Sequence, residues 1–308
     1  MIILYRQFEM ENAYKIEILE PKGYCSGVEL ALQTARDARK KHKSKRVIIL
    51  GMLVHNQIVT NELREEKIET IDISNASNER IEKLIPEDSV VILPAHGHKT
   101  GLDNILRKKN VIVYDAICPR VKRNIDIIKE EIKLGHQVIY IGNKKHPETE
   151  AALSINKSVI LYDTKLLINY QKITNKNVVV LNQTTLNFLS LSDIHKDILA
   201  HFPQAKIYDE ICNATRTRQE AVININNEAD LIIIVGDQLS SNTKRLFEIA
   251  KSSHPDTLCI MVSNEDELDE EVLYNKKYVV IASGASTPIS VINNIYDFIN
   301  KVLANNNR

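Results

Sequence analysis

Three cysteines stand at a spacing that chemistry can use. Cys25, Cys118 and Cys212 follow one another at intervals of 93 and 94 residues, and the last two close near-identical pentapeptides, YDAIC at 114–118 and YDEIC at 208–212. Cys25, in PKGYCSGV, follows a comparable strand-like run, KIEILEP. Thiolates delivered by three separate segments suit a soft metal centre. Structural zinc wants a fourth protein ligand, and no fourth residue shares the repeat. An iron-sulfur cluster normally takes four cysteines, so three would leave one iron with an open position, a Lewis acid able to bind a substrate oxygen. Isolated cysteines are more often inert core residues, and Cys259, in DTLCIMV with no counterpart in the repeat, is read that way. Matched spacing and matched surroundings set the other three apart.

The same intervals divide the 308 residues into three units, 1–117, 118–211 and 212–308, the first carrying an N-terminal extension. A period that long suits a small α/β domain rather than a solenoid repeat. Each cysteine is followed by a helix-like stretch (GVELALQTARDAR, RVKRNIDIIKEEIKLG, TRTRQEAVININNEA) and then by an apolar strand ending at Gly51, Gly142 or Gly236. A further apolar run follows in each unit: VVILPAHG, VVVLNQTT and YVVIASGAS. Continuous β-branched runs alternating with helices predict mostly parallel sheets covered on both faces, hence an α/β fold of three similar small domains. In open parallel sheets ligands bind beyond the C-terminal ends of the strands. MLVHN, NKKHPE and DQLSSN follow the three glycines, and the later strands deliver His96, Gln183 with Thr184 and Thr185, and Ser283 with Ser286. One cysteine and two polar strand ends per unit predict convergence on a central axis.

Composition narrows the partners. Lys plus Arg and Asp plus Glu are both 40, giving zero net charge, so the electrostatic footprint of a nucleic-acid or anionic-membrane binder is missing. The basic run RKKHKSKR at 39–46 fits a helix C-terminus, where cations are favoured. No segment approaches the ~18 uninterrupted apolar residues of a membrane helix. The N-terminus carries acidic residues and neither a signal-peptide nor a transit pattern, which predicts a cytoplasmic protein. There is no G-x-x-x-x-G-K phosphate loop.

PKGYCSGVELA, MLVHNQIV, PAHGHKTG, DAICPRV, HPETEA, NQTT, ICNATRTRQEA, SSNTKRL and GAST, in this order, resemble the 4-hydroxy-3-methylbut-2-enyl diphosphate reductases of the LytB/IspH family, from about residue 16 to 300. The resemblance implies three domains in pseudo-threefold arrangement around a 4Fe-4S cluster on Cys25, Cys118 and Cys212. It implies the last step of the non-mevalonate isoprenoid pathway, with ferredoxin or flavodoxin as electron donor. Glu148 matches the proton source, with His146 beside it and Thr184 as a hydroxyl relay. His55, His96, Ser240, Asn242 and Ser286 match the positions that hold the diphosphate, with Ser241 as neighbour. His98 and Lys99 depart from the smaller or apolar residues common after AHG in that family, and ISV follows GASTP where an acidic residue and an aromatic are common. His42, His136, His195, His201 and His254 match no motif and are read as surface residues.

Other readings stand beside this one. A quinolinate-synthase-like dehydratase shares the three-domain, three-cysteine plan and works without net reduction. An iron-sulfur sensor would explain the cysteines but not the convergent histidines and hydroxyls. A metal-free sugar or nucleotide binding protein would give colourless, iron-free preparations.

Overall fold

The computed structural model describes residues 14–306 apart from 74, 75, 165 and 167. The chain opens with β1 (Lys15–Ile18), α1 (Ser26–Lys41), β2 (Val47–Leu50), α2 (Gln57–Glu65), β3 (Ile68–Ile71), α3 (Asn78–Leu84), β4 (Val90–Leu93), α4 (Leu102–Lys108) and β5 (Ile112–Asp115). It continues through α5 (Pro119–Lys133), β6 (Gln137–Gly142), α6 (Pro147–Ile155), β7 (Ile160–Asp163), β8 (Val178–Asn182), α7 (Phe188–His201) and β9 (Lys206–Ile207). The last third holds α8 (Asn213–Ile223), β10 (Leu231–Val235), α9 (Ser241–Ser253), β11 (Leu258–Val262), β12 (Tyr278–Ser283) and α10 (Ile289–Asn306).

Every residue of β2, β4 and β10 is buried. Because strand side chains alternate, such a run is stable only when both faces are covered. Val47 and Ile49 of β2 pack with Val28, Leu32 and Ala35 of α1, while Ile48 and Leu50 point to the other face against Ile81 of α3 and Leu106 of α4. On the third sheet, α10 lays Val291, Ile292, Ile295, Ile299 and Val302 on one face at helical spacing. The basic run falls where charge favours it: Arg39, Lys40 and Lys41 form the last turn of α1. Among the described residues no helix is long and apolar enough to cross a membrane.

The three four-stranded sheets run β3-β2-β4-β5, β7-β6-β8-β9 and β11-β10-β12-β1, all parallel. One order therefore occurs three times, and in each sheet its fourth strand is the one that precedes a cysteine. For the third sheet that strand is β1, from the opposite end of the chain, with Lys15–Ile18 in register with Tyr278–Ile281. The strand that leads to Cys25 thus completes the sheet of the last third, although by sequence it falls in 1–117.

Candidate active site

Each cysteine sits at a seam between two sheets. Its amide donates to the carbonyl two residues past the end of a central strand: Cys118 to Ala95 beyond β4 (2.9 Å), Cys212 to Thr184 beyond β8 (3.1 Å) and Cys25 to Ala285 beyond β12 (3.0 Å). Each is also the N-cap of the following helix, α5, α8 and α1 respectively, and in none does the side chain make the capping hydrogen bond. A Ser, Asp or Asn at such a position would turn back onto the helix amides; here all three thiols are left to line one cavity. A helix N-terminus favours negative charge on its cap, which suits a thiolate. A Cβ built on Gly27 would lie 2.7 Å from the Cys118 sulfur and 3.9 Å from that of Cys25. This glycine therefore lets thiols of two units meet over the first turn of α1. Burial pushes the Cys118 thiol up, the Arg120 and Val121 amides at the start of α5 pull it back, and the neighbouring Cys25 and Cys212 add to the rise. Among the described residues no three His, Cys, Asp or Glu side chains are close enough together to grip one metal ion. The donor set thus misses mononuclear zinc, whose sulfurs must all lie about 2.3 Å from one point, and fits a polynuclear centre reached by a thiolate from each side.

The same cavity receives the polar strand ends. Beyond β6, His146 caps α6 by accepting the Glu148 amide on Nδ1 (3.2 Å), which leaves Nε2 of the neutral ring as its N–H. Glu148 is 3% exposed, and both its oxygens are taken by one residue beyond β8. Thr184 donates its amide to Oε2 and its hydroxyl to Oε1, both at 2.9 Å. Burial pushes the Glu148 carboxyl up to about 7 against the pull of those two bonds. His55, His96 and His146 gather beside it, with ring centres 4.1, 5.6 and 5.8 Å apart. Burial, with repulsion from His55, lowers His146 to about 3; burial, with repulsion from His55 and His146, takes His96 well below the usual histidine range; and burial holds His55 below it, so the neutral imidazole is favoured along this wall. The His96 Nδ1 is buried without a partner.

The third unit brings hydroxyls and amides to the cavity at the start of α9. Ser240 caps the helix through the Thr243 amide (3.2 Å). Asn242 accepts the Ala285 amide (3.1 Å) and donates to the Thr215 hydroxyl (3.4 Å), tying α9 to β12 and α8. Ser286 donates to the His55 carbonyl (3.3 Å). Ser241 is reached from the second unit by the Gln183 amide (3.2 Å) and the Thr185 hydroxyl (3.3 Å). Helix N-terminus, hydroxyls and neutral imidazoles together can seat an anion, and Arg120 adds a positive charge to the lining.

Every residue that the sequence assigns to the site lines this one cavity: Cys25, Cys118, Cys212, His55, His96, His146, Glu148, Thr184, Ser240, Ser241, Asn242 and Ser286. Ser283, also at a strand end, turns away to accept the Gly23 amide. The surface reading of the remaining histidines needs correcting for His254, which is buried and bonds the Val222 carbonyl, because an imidazole with one backbone partner is tolerated inside. Sequence reasoning missed Thr215 and Arg120, which also line the cavity. The signal for both was their place in the first turn after a cysteine of the repeat, Arg120 after Cys118 and Thr215 after Cys212.

The fold and cavity define a class: a three-unit α/β enzyme whose site is assembled where its units meet, with one thiol from each. The LytB protein family model matches residues 16–300, and this chain belongs to that family. Relatives named 4-hydroxy-3-methylbut-2-enyl diphosphate reductase include one from Malacoplasma penetrans, 36% identical over 95% of this chain and 99% of its own. Another, from Anoxybacillus flavithermus, is 37% identical over 94% and 91%. The solved E-1-hydroxy-2-methyl-but-2-enyl-4-diphosphate reductase of Plasmodium falciparum superimposes with a TM-score of 0.80 at 26% identity, covering 94% of this chain and 87% of its own. A second solved (E)-4-hydroxy-3-methyl-but-2-enyl diphosphate reductase, titled the terminal enzyme of the non-mevalonate pathway, gives 0.66 at 29% identity over 94% and 99%.

Proposed function

We propose that this chain reduces (E)-4-hydroxy-3-methylbut-2-enyl diphosphate to isopentenyl and dimethylallyl diphosphate. Two electrons and two protons are consumed and the allylic hydroxyl leaves as water. The family membership supports the reaction. The observation that carries it within the molecule is the near-neutral Glu148 carboxyl in one cavity with three uncapped thiols.

Hydroxide is a poor leaving group, so the departing oxygen needs a proton as its bond breaks. Cys25, Cys118 and Cys212 would hold a 4Fe-4S cluster, which when bound supplies the electrons and a Lewis-acid position for the hydroxyl. The protein's own part is protonation, anchoring and exclusion of water. Glu148 donates the proton, and Thr184, whose amide and hydroxyl donate to its two oxygens, fixes its orientation and serves as the hydroxyl relay. His146, with Nδ1 occupied by the helix amide, offers Nε2–H to the substrate. Ser240, Ser241, Asn242 and Ser286 with His55 and His96 hold the diphosphate, leaving the hydroxyl end towards the thiols. Ferredoxin or flavodoxin serves as donor, and the working units are the three sheets with their helices, joined at the cysteines, with β1 of 1–117 belonging to the sheet of 212–308.

The test is an anaerobic assay of reconstituted protein with the hydroxymethylbutenyl diphosphate and reduced methyl viologen, beside Glu148→Gln. Viologen oxidation should require substrate and fall by a factor of about 10² to 10⁴ in the variant, the usual worth of a general acid. Absence of oxidation in protein shown to contain iron and sulfide would overturn the reading in favour of a dehydratase that works without net reduction.

A further inference from the structure

Arg218 is a cation in the wrong place for an ordinary helix. It lies in α8, six residues after Cys212, and is 4% exposed. One guanidinium nitrogen donates to the Ala214 carbonyl in the first turn of α8 (3.0 Å) and another to the Gly23 carbonyl, two residues ahead of Cys25 (2.7 Å). The Nε–H is buried with no acceptor. The carboxylate whose charge reaches it, Glu20, is exposed and paired with Lys22. A buried guanidinium without an ion pair is costly unless negative charge is brought to it. The groups that can bring such charge are the two thiols whose fields reach it, Cys25 and Cys212. The hydrogen-bonded span from Gly23 to Ala214 joins the seam between the first and third units, so the side chain is both a strap and a fixed charge.

We propose that Arg218 is the internal counter-ion of the thiolate centre: it offsets the negative charge that the cysteines and their cluster bring into a site whose histidines are neutral, and thereby sets how readily that centre accepts an electron. The proposal rests on the cluster reading above. Net charge and hydrogen bonding around iron-sulfur centres set their potentials, and a positive charge favours the reduced, more negative state. Removing it makes reduction harder; a substitution that keeps it does not. Arg218 acts through Cys25 and Cys212 and is a positioning residue, not a catalytic one.

The experiment compares wild type, Arg218→Gln and Arg218→Lys after anaerobic reconstitution, measuring iron and sulfide per chain, the thermal midpoint of the iron-free proteins and the midpoint potential by dithionite titration. Arg218→Gln keeps a donor for Gly23 without charge, and Arg218→Lys keeps charge without the fork. The expected result is a shift to more negative potential in Arg218→Gln with Arg218→Lys close to wild type. If Arg218→Gln fails to retain iron while Arg218→Lys loads normally, charge is again the cause. Equal potentials in all three, or equal shifts or equal iron loss in both variants, would reduce Arg218 to a strap and overturn the proposal. A wild-type chain that takes up no iron and sulfide removes the cluster reading itself, and this inference with it, whatever the variants do.

Discussion

At the scale of single residues, the decisive number is the Glu148 carboxyl held at about 7. An unperturbed glutamate with a pKa near ~4.3 is protonated in roughly one molecule in 500 at neutrality, and is a poor acid for that reason. Burial raises the carboxyl and the two Thr184 bonds pull it back, so the protonated, donating form is the one present below about 7. Turnover is therefore expected to fall as pH rises through this value. Thr184→Val deletes one bond to the carboxylate and should move the falling limb to higher pH, since a hydrogen bond to the charged form favours that form. Profiles of kcat/KM for both proteins check it, and an unmoved limb would take Thr184 out of the proton path. The sequence shows this unevenly. The cysteines announce themselves by period and Glu148 by its motif. The clasp between Glu148 and Thr184 spans α6 and β8, and no local pattern marks it. Arg218 hides for a related reason: a charged residue on a helix is ordinarily solvated, and the Gly23 carbonyl that receives it belongs to the chain ahead of Cys25, far off in sequence.

At the scale of elements, the repeated plan was legible because parallel strands buried on both faces must read as unbroken Val, Ile and Leu. The partner of β1 was not, since KIEI carries the same pattern in either sheet and the pairing is settled by β12, at the far end of the chain. A sharper consequence concerns the start of α1. In a helix, alanine is favoured over glycine by about 0.8–1.0 kcal/mol, and Gly27 does not have a positive φ that would forbid the change. Propensity alone says that Gly27→Ala stabilises. The added carbon, however, would sit 2.7 Å from the Cys118 sulfur, closer than any relaxed contact. The two effects separate by measurement: the variant should resist urea in its iron-free form about as well as wild type, yet retain less iron per chain after reconstitution. Undiminished iron would mean that the Cys118 thiol swings clear at no cost.

At the scale of the whole molecule, the site is a meeting of three units around groups that water would rather keep, and this gives stability a pH signature. His55, His96 and His146 resist protonation when folded but titrate near ~6.5 when unfolded. Below that value the unfolded chain binds protons that the folded chain refuses, so stability is present above about 6.5 and is lost as pH falls, for His146 down towards 3. Glu148 works the other way: its folded pKa of about 7 lies above the unfolded one, so between the two it adds stability as pH drops. Three groups oppose one, and the histidines prevail. Urea midpoints of the iron-free protein should therefore be lower at pH 5.5 than at pH 7.5, and His146→Asn, which frees the cluster of one ring, should flatten the difference. A pH-independent midpoint would mean that the rings admit a proton or water without separating the units. The expected fall ties folding to the proposed function, because the neutrality that would let these imidazoles face an anion beside three cysteines is bought with resistance to protonation.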